Sequence, residues 1–155
     1  MKRWKKVVVI IAIIIVVIGI TIFAISKVNT ETFEEKMIKK GFKITNIIKD
    51  YKKEKTIVRA TEATEKDNKY KINILEFTSS NTATKYFNKE KERYTKEKDA
   101  DSAINYTNQN DLERYTITAK NRYIVLYKYN NMIVYYDIDI KYSDEVITLL
   151  DELGY

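Results

Sequence analysis

The chain has 155 residues, 28 Lys and Arg against 22 Asp and Glu for a formal charge of +6, and neither His nor Cys. Without His or Cys it lacks the commonest general base, the reactive thiol and the usual transition-metal ligands, which excludes most hydrolase and zinc mechanisms and every disulfide. Four of the cations stand before residue 7, leaving 24 against 22 in the rest, a mixed soluble surface that excludes the basic footprint of a nucleic-acid binder.

Residues 7–25, VVVIIAIIIVVIGITIFAI, carry Thr21 as their one polar side chain. At about 1.5 Å per residue such a helix spans roughly 28 Å, close to the hydrocarbon thickness of a bilayer. Its β-branched residues are poor helix formers in water, but in lipid a helix is the one single-segment way to satisfy every backbone group. The stretch therefore predicts a transmembrane helix. Lys2, Arg3, Lys5 and Lys6 precede it, whereas Lys27 and then Glu31, Glu34 and Glu35 follow. The excess of positive charge before the helix predicts a cytoplasmic N-terminus and an extracytoplasmic remainder at the cell membrane, with Trp4 anchored at the headgroup level. Ala24-Ile25-Ser26 also fits a signal-peptidase site, but the apolar run exceeds the roughly 7–15 residues of a signal core, which favours a retained single-pass anchor. The expected organisation is a basic tail at 1–6, the helix at 7–25, a tether at 26–31 and one domain at 32–155.

Within that domain, Thr32 with Glu35 reads as a capping box, Phe33 and Met37 share a face and Gly41 supplies the stop, which predicts a helix over 32–40. Residues 42–48 follow as a strand with Phe42, Ile44 and Ile48 inward. Residues 56–64 and 70–78 are strands joined by the polar loop 65–69, completing an antiparallel meander. Ser79 or Ser80 caps a helix whose Ala83, Tyr86, Phe87, Glu90 and Tyr94 fall on one face. Residues 99–111, rich in Ser, Asn and Asp, read as a loop. Three strands are expected at 112–120, 122–129 and 132–141, turned by Asn121 and by Asn130-Asn131, since Asn tolerates the left-handed conformation that tight hairpins require. Ser143 then caps a last helix with Val146, Ile147, Leu150 and Leu153 inward and Gly154 as its stop. The fold class expected is α+β, one antiparallel sheet in the order α-βββ-α-βββ-α with all helices on one face. The strand, Ser cap and helix at 70–87 and at 134–153 echo one another, as a βββα duplication would.

Little in the chain is arranged for chemistry. Ser79, Ser80 and Ser143 stand where caps are needed, and none opens a Ser-x-x-Lys motif. Asp137 and Asp139 share a strand face near Asp144 and Glu145, but the glycine-turned loop of calcium sites is missing, and a solvated strand face explains them better. With three Gly in the chain there is no phosphate-cradling loop, and no catalytic residue, metal site or cofactor is called for. Tyrosine is the unusual feature: thirteen are present, all after the apolar run. Tyr123, Tyr127 and Tyr129 alternate onto one strand face opposite Ile124 and Leu126. The aliphatic pair has the stronger claim on the interior, so the tyrosines are the candidate contact surface and Tyr127 is expected to be at least partly exposed.

The Lys-rich start, the single membrane helix, a helix ending in Lys39-Lys40-Gly41-Phe42 and a final Leu153-Gly154-Tyr155 resemble the small uncharacterised membrane-anchored proteins of low-GC Gram-positive bacteria. That resemblance implies an extracytoplasmic α+β domain and brings no catalytic residue with it. The expected function is a membrane-tethered, non-enzymatic module that binds another envelope protein or a wall component. The alternatives are a small enzyme using carboxylate or Ser/Lys chemistry, and a domain that carries an apolar ligand.

Overall fold

The structure is a computed structural model that describes residues 30–98, 101–109, 112–119 and 121–153. The expected membrane helix, the cations on either side of it and most of the tether lie outside these residues. Among the described residues no helix is long and apolar enough to cross a membrane.

Three helices and seven strands follow one another as α1 (Thr30–Lys39), β1 (Lys43–Asn46), β2 (Ile57–Thr64), β3 (Lys71–Phe77), α2 (Ser80–Glu97), β4 (Ala103–Gln109), β5 (Leu112–Thr118), β6 (Arg122–Tyr129), β7 (Met132–Asp139) and α3 (Ser143–Leu153). The strands form one sheet in the order β1-β2-β3-β7-β6-β5-β4, every neighbouring pair antiparallel. An α+β fold around a single antiparallel sheet is thus the architecture, and β4 is a strand where a loop is expected over 99–111. Its polar residues hid it, because at the rim of a sheet nothing requires the alternate positions to be apolar.

The helices do not share one face, contrary to expectation. α1 and α3 cover one side through Phe33, Met37, Val146, Leu149, Leu150 and Leu153, packed on Ile72, Ile74, Val125, Val134 and Tyr136. α2 covers the other through Ala83, Phe87 and Tyr94, packed on Leu75, Phe77, Ile124, Leu126 and Ile133. The cause lies in β3, β6 and β7, which are apolar at consecutive positions; strands of that kind need cover on both sides. Three strands, β1-β2-β3, face three others, β7-β6-β5, across the β3–β7 pair, as a duplication requires, with β4 added outside. A two-fold axis exchanging those antiparallel neighbours, however, would keep both following helices on one face. Since α2 and α3 lie on opposite faces, no such rotation relates the halves.

Local signals explain most boundaries. α1 ends in a Schellman motif: Gly41, at φ 87°, donates to Ile38 O at 2.9 Å, and Phe42 N donates to Met37 O at 3.0 Å. The helix begins at Thr30 rather than Thr32, so Thr32 lies inside its first turn. Glu34 docks α1 on β2 by accepting from Arg59 Nε at 3.0 Å and Thr61 Oγ1 at 2.6 Å, with Arg59 Nη2 on its second oxygen. Ser79 caps α2 in a capping box with Thr82. Of the hairpin asparagines, Asn130 takes the left-handed conformation at φ 51°. β7 stops at Asp139, whose carboxylate accepts from Lys141 N at 3.1 Å and starts a 3-10 turn over Ile140–Tyr142, so Ser143 is the first residue of α3 and not its cap.

Candidate functional site

The end of the sheet formed by β4, β5 and β6 is where the structure leaves most polar and aromatic surface uncommitted. β4, AINYTNQ, is a seven-residue outer strand without a charge or a proline. Ala119 N donates to Arg122 O at 2.9 Å, which fixes the alternation in the β5–β6 ladder. Glu113, Tyr115 and Ile117 share that parity and bond to β6, while Arg114, Thr116 and Thr118 bond to β4. Their partners Thr107, Asn105 and Ala103 consequently turn inward, and Ile104, Tyr106 and Asn108 present N–H and C=O groups to the open side.

Two of those three residues are also exposed apolar side chains, Ile104 at 39% and Tyr106 at 43%. Tyr106 is nevertheless held in place. Its hydroxyl donates to Glu113 Oε2 at 2.8 Å, and Lys91 Nζ of α2 sits 4.5 Å above its ring. The hydrogen bond to the carboxylate pushes the pKa of the phenol up, so that it stays protonated. Beneath it Lys128 Nζ donates to Glu113 Oε1 at 3.0 Å in a nearly dry ion pair. Burial pushes the Glu113 carboxyl up, but hydrogen bonds from Tyr106 and Lys128 outweigh it and leave the group below its ordinary value. The ring of Tyr106 is therefore presented to solvent in one orientation.

On the opposite face of the same strands lies a groove of about 330 Å³ lined by Asn105, Thr107, Arg114, Thr116, Thr118 and Tyr123. The strand register assembles it: Thr107 pairs with Arg114, Asn105 with Thr116, and Thr118 lies between Ala103 and Tyr123. Its back wall meets the flank of α3, where Arg114, Tyr127, Tyr136 and Asp151 close on a cavity of about 10 Å³.

The tyrosines predicted as a contact surface do share one face, but it is the face covered by α1 and α3. Tyr123 and Tyr127 are both buried, each 8% exposed, and Tyr129 is half-buried against the same cluster. Tyr127 is not partly exposed because Ile124 and Leu126 are buried as well, under α2. Burial pushes the Tyr127 phenol up to about 12. Of the three, Tyr123 reaches the groove, its hydroxyl accepting from Arg114 Nη2 at 3.3 Å. Reading 99–111 as a loop concealed Ile104, Tyr106 and the groove wall; the alternation of Ile104 and Tyr106 with polar residues was the available signal.

The other chemical candidates are spoken for. Arg122 pairs with Asp137, its Nε donating at 3.0 Å, and Lys141 pairs with Asp139 at 3.2 Å. Among the described residues no group of acidic side chains could hold a metal ion. Lys98 and Ser102 line a cleft of about 250 Å³ beside the C-terminal end of α2, but Lys98 is exposed, whereas a lysine that activates a serine is desolvated. No family model matches the chain, and comparison with curated proteins and with solved structures gives no match.

Proposed function

We propose that the protein is a single-pass, membrane-tethered extracytoplasmic module that binds an envelope protein by taking an extended segment of it as an additional strand beside β4. The observation that carries this reading is the outer strand itself: seven residues, no charge, outward backbone groups at Ile104, Tyr106 and Asn108, and a preoriented Tyr106 ring. Main-chain hydrogen bonds supply affinity in such complexes and alternate side chains supply specificity. The partner expected is an extended stretch with apolar side chains at alternate positions, facing Ile104 and Tyr106. The tether rests on the apolar run at 7–25 and its flanking charges.

Neither alternative finds comparable support. A carrier of apolar ligands needs an apolar cavity between helices and sheet; the space between α3 and the sheet holds about 10 Å³, and that of about 110 Å³ between α2 and the sheet is lined by Glu90 and Arg93. An enzyme needs converging reactive groups, and the strand carboxylates weighed for that role, Asp137 and Asp139, are each paired with a cation.

Two measurements test the proposal. A thiol placed at Lys66, in the exposed β2–β3 turn, should be labelled in intact cells by an impermeant reagent, and one at Lys2 should be protected; the reverse pattern overturns the topology. A photo-crosslinker at Asn108 should capture one defined species in the native membrane, and Ile104→Lys should abolish that adduct, while a crosslinker at Thr45 on β1 captures none. An adduct indifferent to Ile104→Lys overturns strand addition.

A further inference from the structure

Four arginines lie among the described residues, and three of them hold a carboxylate: Arg59 with Glu34, Arg93 with Glu90 and Glu97, Arg122 with Asp137. Arg114 does not. It is half-buried in the middle of β5, and its one hydrogen bond is the 3.3 Å contact to the Tyr123 hydroxyl. A guanidinium has five donors in a fixed planar fork, and leaving most of them unused in a partly desolvated position is costly unless something else takes them up.

Its surroundings show what that would be. The groove in front of Arg114 presents three hydroxyls and an amide, from Thr107, Thr116, Thr118 and Asn105, and none of the four makes a side-chain hydrogen bond among the described residues. Tyr123 closes one end with an aromatic wall. Behind Arg114, Tyr136 lines the small cavity; it is 1% exposed, and its hydroxyl is buried without a hydrogen-bond partner. Buried hydroxyls are almost always satisfied, and the small cavity has room for the single water that would serve Tyr136; the guanidinium, which lines the groove as well, is what is left to take an acceptor there. Asp151 of α3 lines the same small cavity and forms no ion pair within 4 Å among the described residues. Among the described residues that line the groove and this cavity, it is the one negative charge that opposes an anion there.

We infer that this groove binds an acidic sugar unit, its carboxylate or phosphate taken by the Arg114 fork and its ring hydroxyls by the threonine rows. A volume of about 330 Å³ falls at the lower end of small-molecule sites, which run from about 300 to 1,000 Å³. Arg114 is the one charge in the lining, beside three hydroxyls, an amide and the Tyr123 ring, which matches a hydroxyl-rich ring with one negative group. The site lies on the face away from Ile104 and Tyr106, so it is independent of the strand-addition surface.

Calorimetric titration of the full-length protein in detergent, with D-glucuronate, D-glucose and inorganic phosphate as probes, tests the inference. Glucuronate should bind, glucose should bind at least about tenfold more weakly, and Arg114→Gln should weaken glucuronate by about tenfold or more, as expected for a charged hydrogen bond. Asp151→Asn should strengthen glucuronate binding. Thr116→Val, which keeps the shape and the β propensity, should weaken glucuronate but leave phosphate unchanged. Failure of glucuronate to bind, or binding indifferent to Arg114→Gln, overturns the site. Phosphate and glucuronate binding equally, both untouched by Thr116→Val, would reduce it to a bare anion site and overturn the sugar assignment.

Discussion

The two ends of the sheet are built on opposite plans. At one end β1 is four residues long, carries Lys43 and is hemmed in: α1 enters it through the Gly41 turn, and the chain leaves it into a 3-10 turn over Ile48–Tyr51. That turn folds onto the α2 face, where the Tyr51 hydroxyl meets the Tyr135 hydroxyl at 2.5 Å. Short length, a charge and covering elements are the ordinary means by which a sheet edge is protected from pairing. At the other end β4 is seven residues long and uncharged, paired with β5 along its length, and the Tyr106 side chain ties it to Glu113 and Lys91. Among the described residues one edge is protected and the longer one is left open, which is why strand addition is proposed there.

The sharpest way to break the comparison is to remove the ion pair beneath β4. Glu113→Gln should cost about 3–5 kcal/mol in unfolding free energy, because Lys128 is left as a buried, uncompensated charge. Replacing the pair together, Glu113→Leu with Lys128→Met, should recover most of that loss, and denaturant melts of the two variants distinguish the cases. The same pair should make the protein acid-labile. Glu113 titrates below its ordinary value of 4.5 when folded, so its contribution is complete above that value and is lost as pH falls through the lower folded one. Melting temperature followed downward from pH 5 should drop more steeply for the wild type than for the apolar double variant.

Next in size is Tyr127, which separates a covered face from an open one. With its ring between the sheet and α3, Tyr127→Ser should cost about 3 kcal/mol. A loss below about 1 kcal/mol would return it to the surface. At the protected end Glu34→Ala should cost about 1–3 kcal/mol, since the half-buried carboxylate holds Arg59 and Thr61 together. Because α1 then loses its polar dock on β2, hydrogen exchange should rise in α1 and β1 and stay unchanged in β4.

The elements that could be read from sequence are those whose local signals agree with their burial. Gly41, Ser79 and Asn130 sit at turns or caps as their chemistry demands, and the central strands carry enough Ile, Val and Tyr to stand out. Two things escaped. β4 carries only Ile104 and Tyr106 as its alternation, a signal too short to stand out among the Ser, Asn and Asp around it. The face on which a helix packs is a tertiary fact: the pattern of β6 is compatible with cover on either side, and assuming one covered face led directly to the expectation that Tyr127 is exposed. The groove was illegible for the same reason, because Thr107, Arg114 and Tyr123 come from three strands whose order only pairing reveals.

The smallest expected effect on stability carries the most weight for function. Ile104 is exposed at the open edge, and exchanging an exposed strand residue for lysine changes folding free energy by about 0.5 kcal/mol or less. A lysine there is also the device by which sheet edges are closed to pairing, since a strand laid alongside would have to accommodate its charge. Ile104→Lys should thus leave the melting temperature within about 2 °C of wild type and eliminate capture of the partner. On β1 the converse exchange, Lys43→Ile, should open nothing, because the four-residue strand remains too short and too well covered to seat another. If Lys43→Ile created a new adduct while Ile104→Lys left the original one intact, the two ends would have exchanged the roles assigned to them, and the open edge would be the structural rim and not the binding surface.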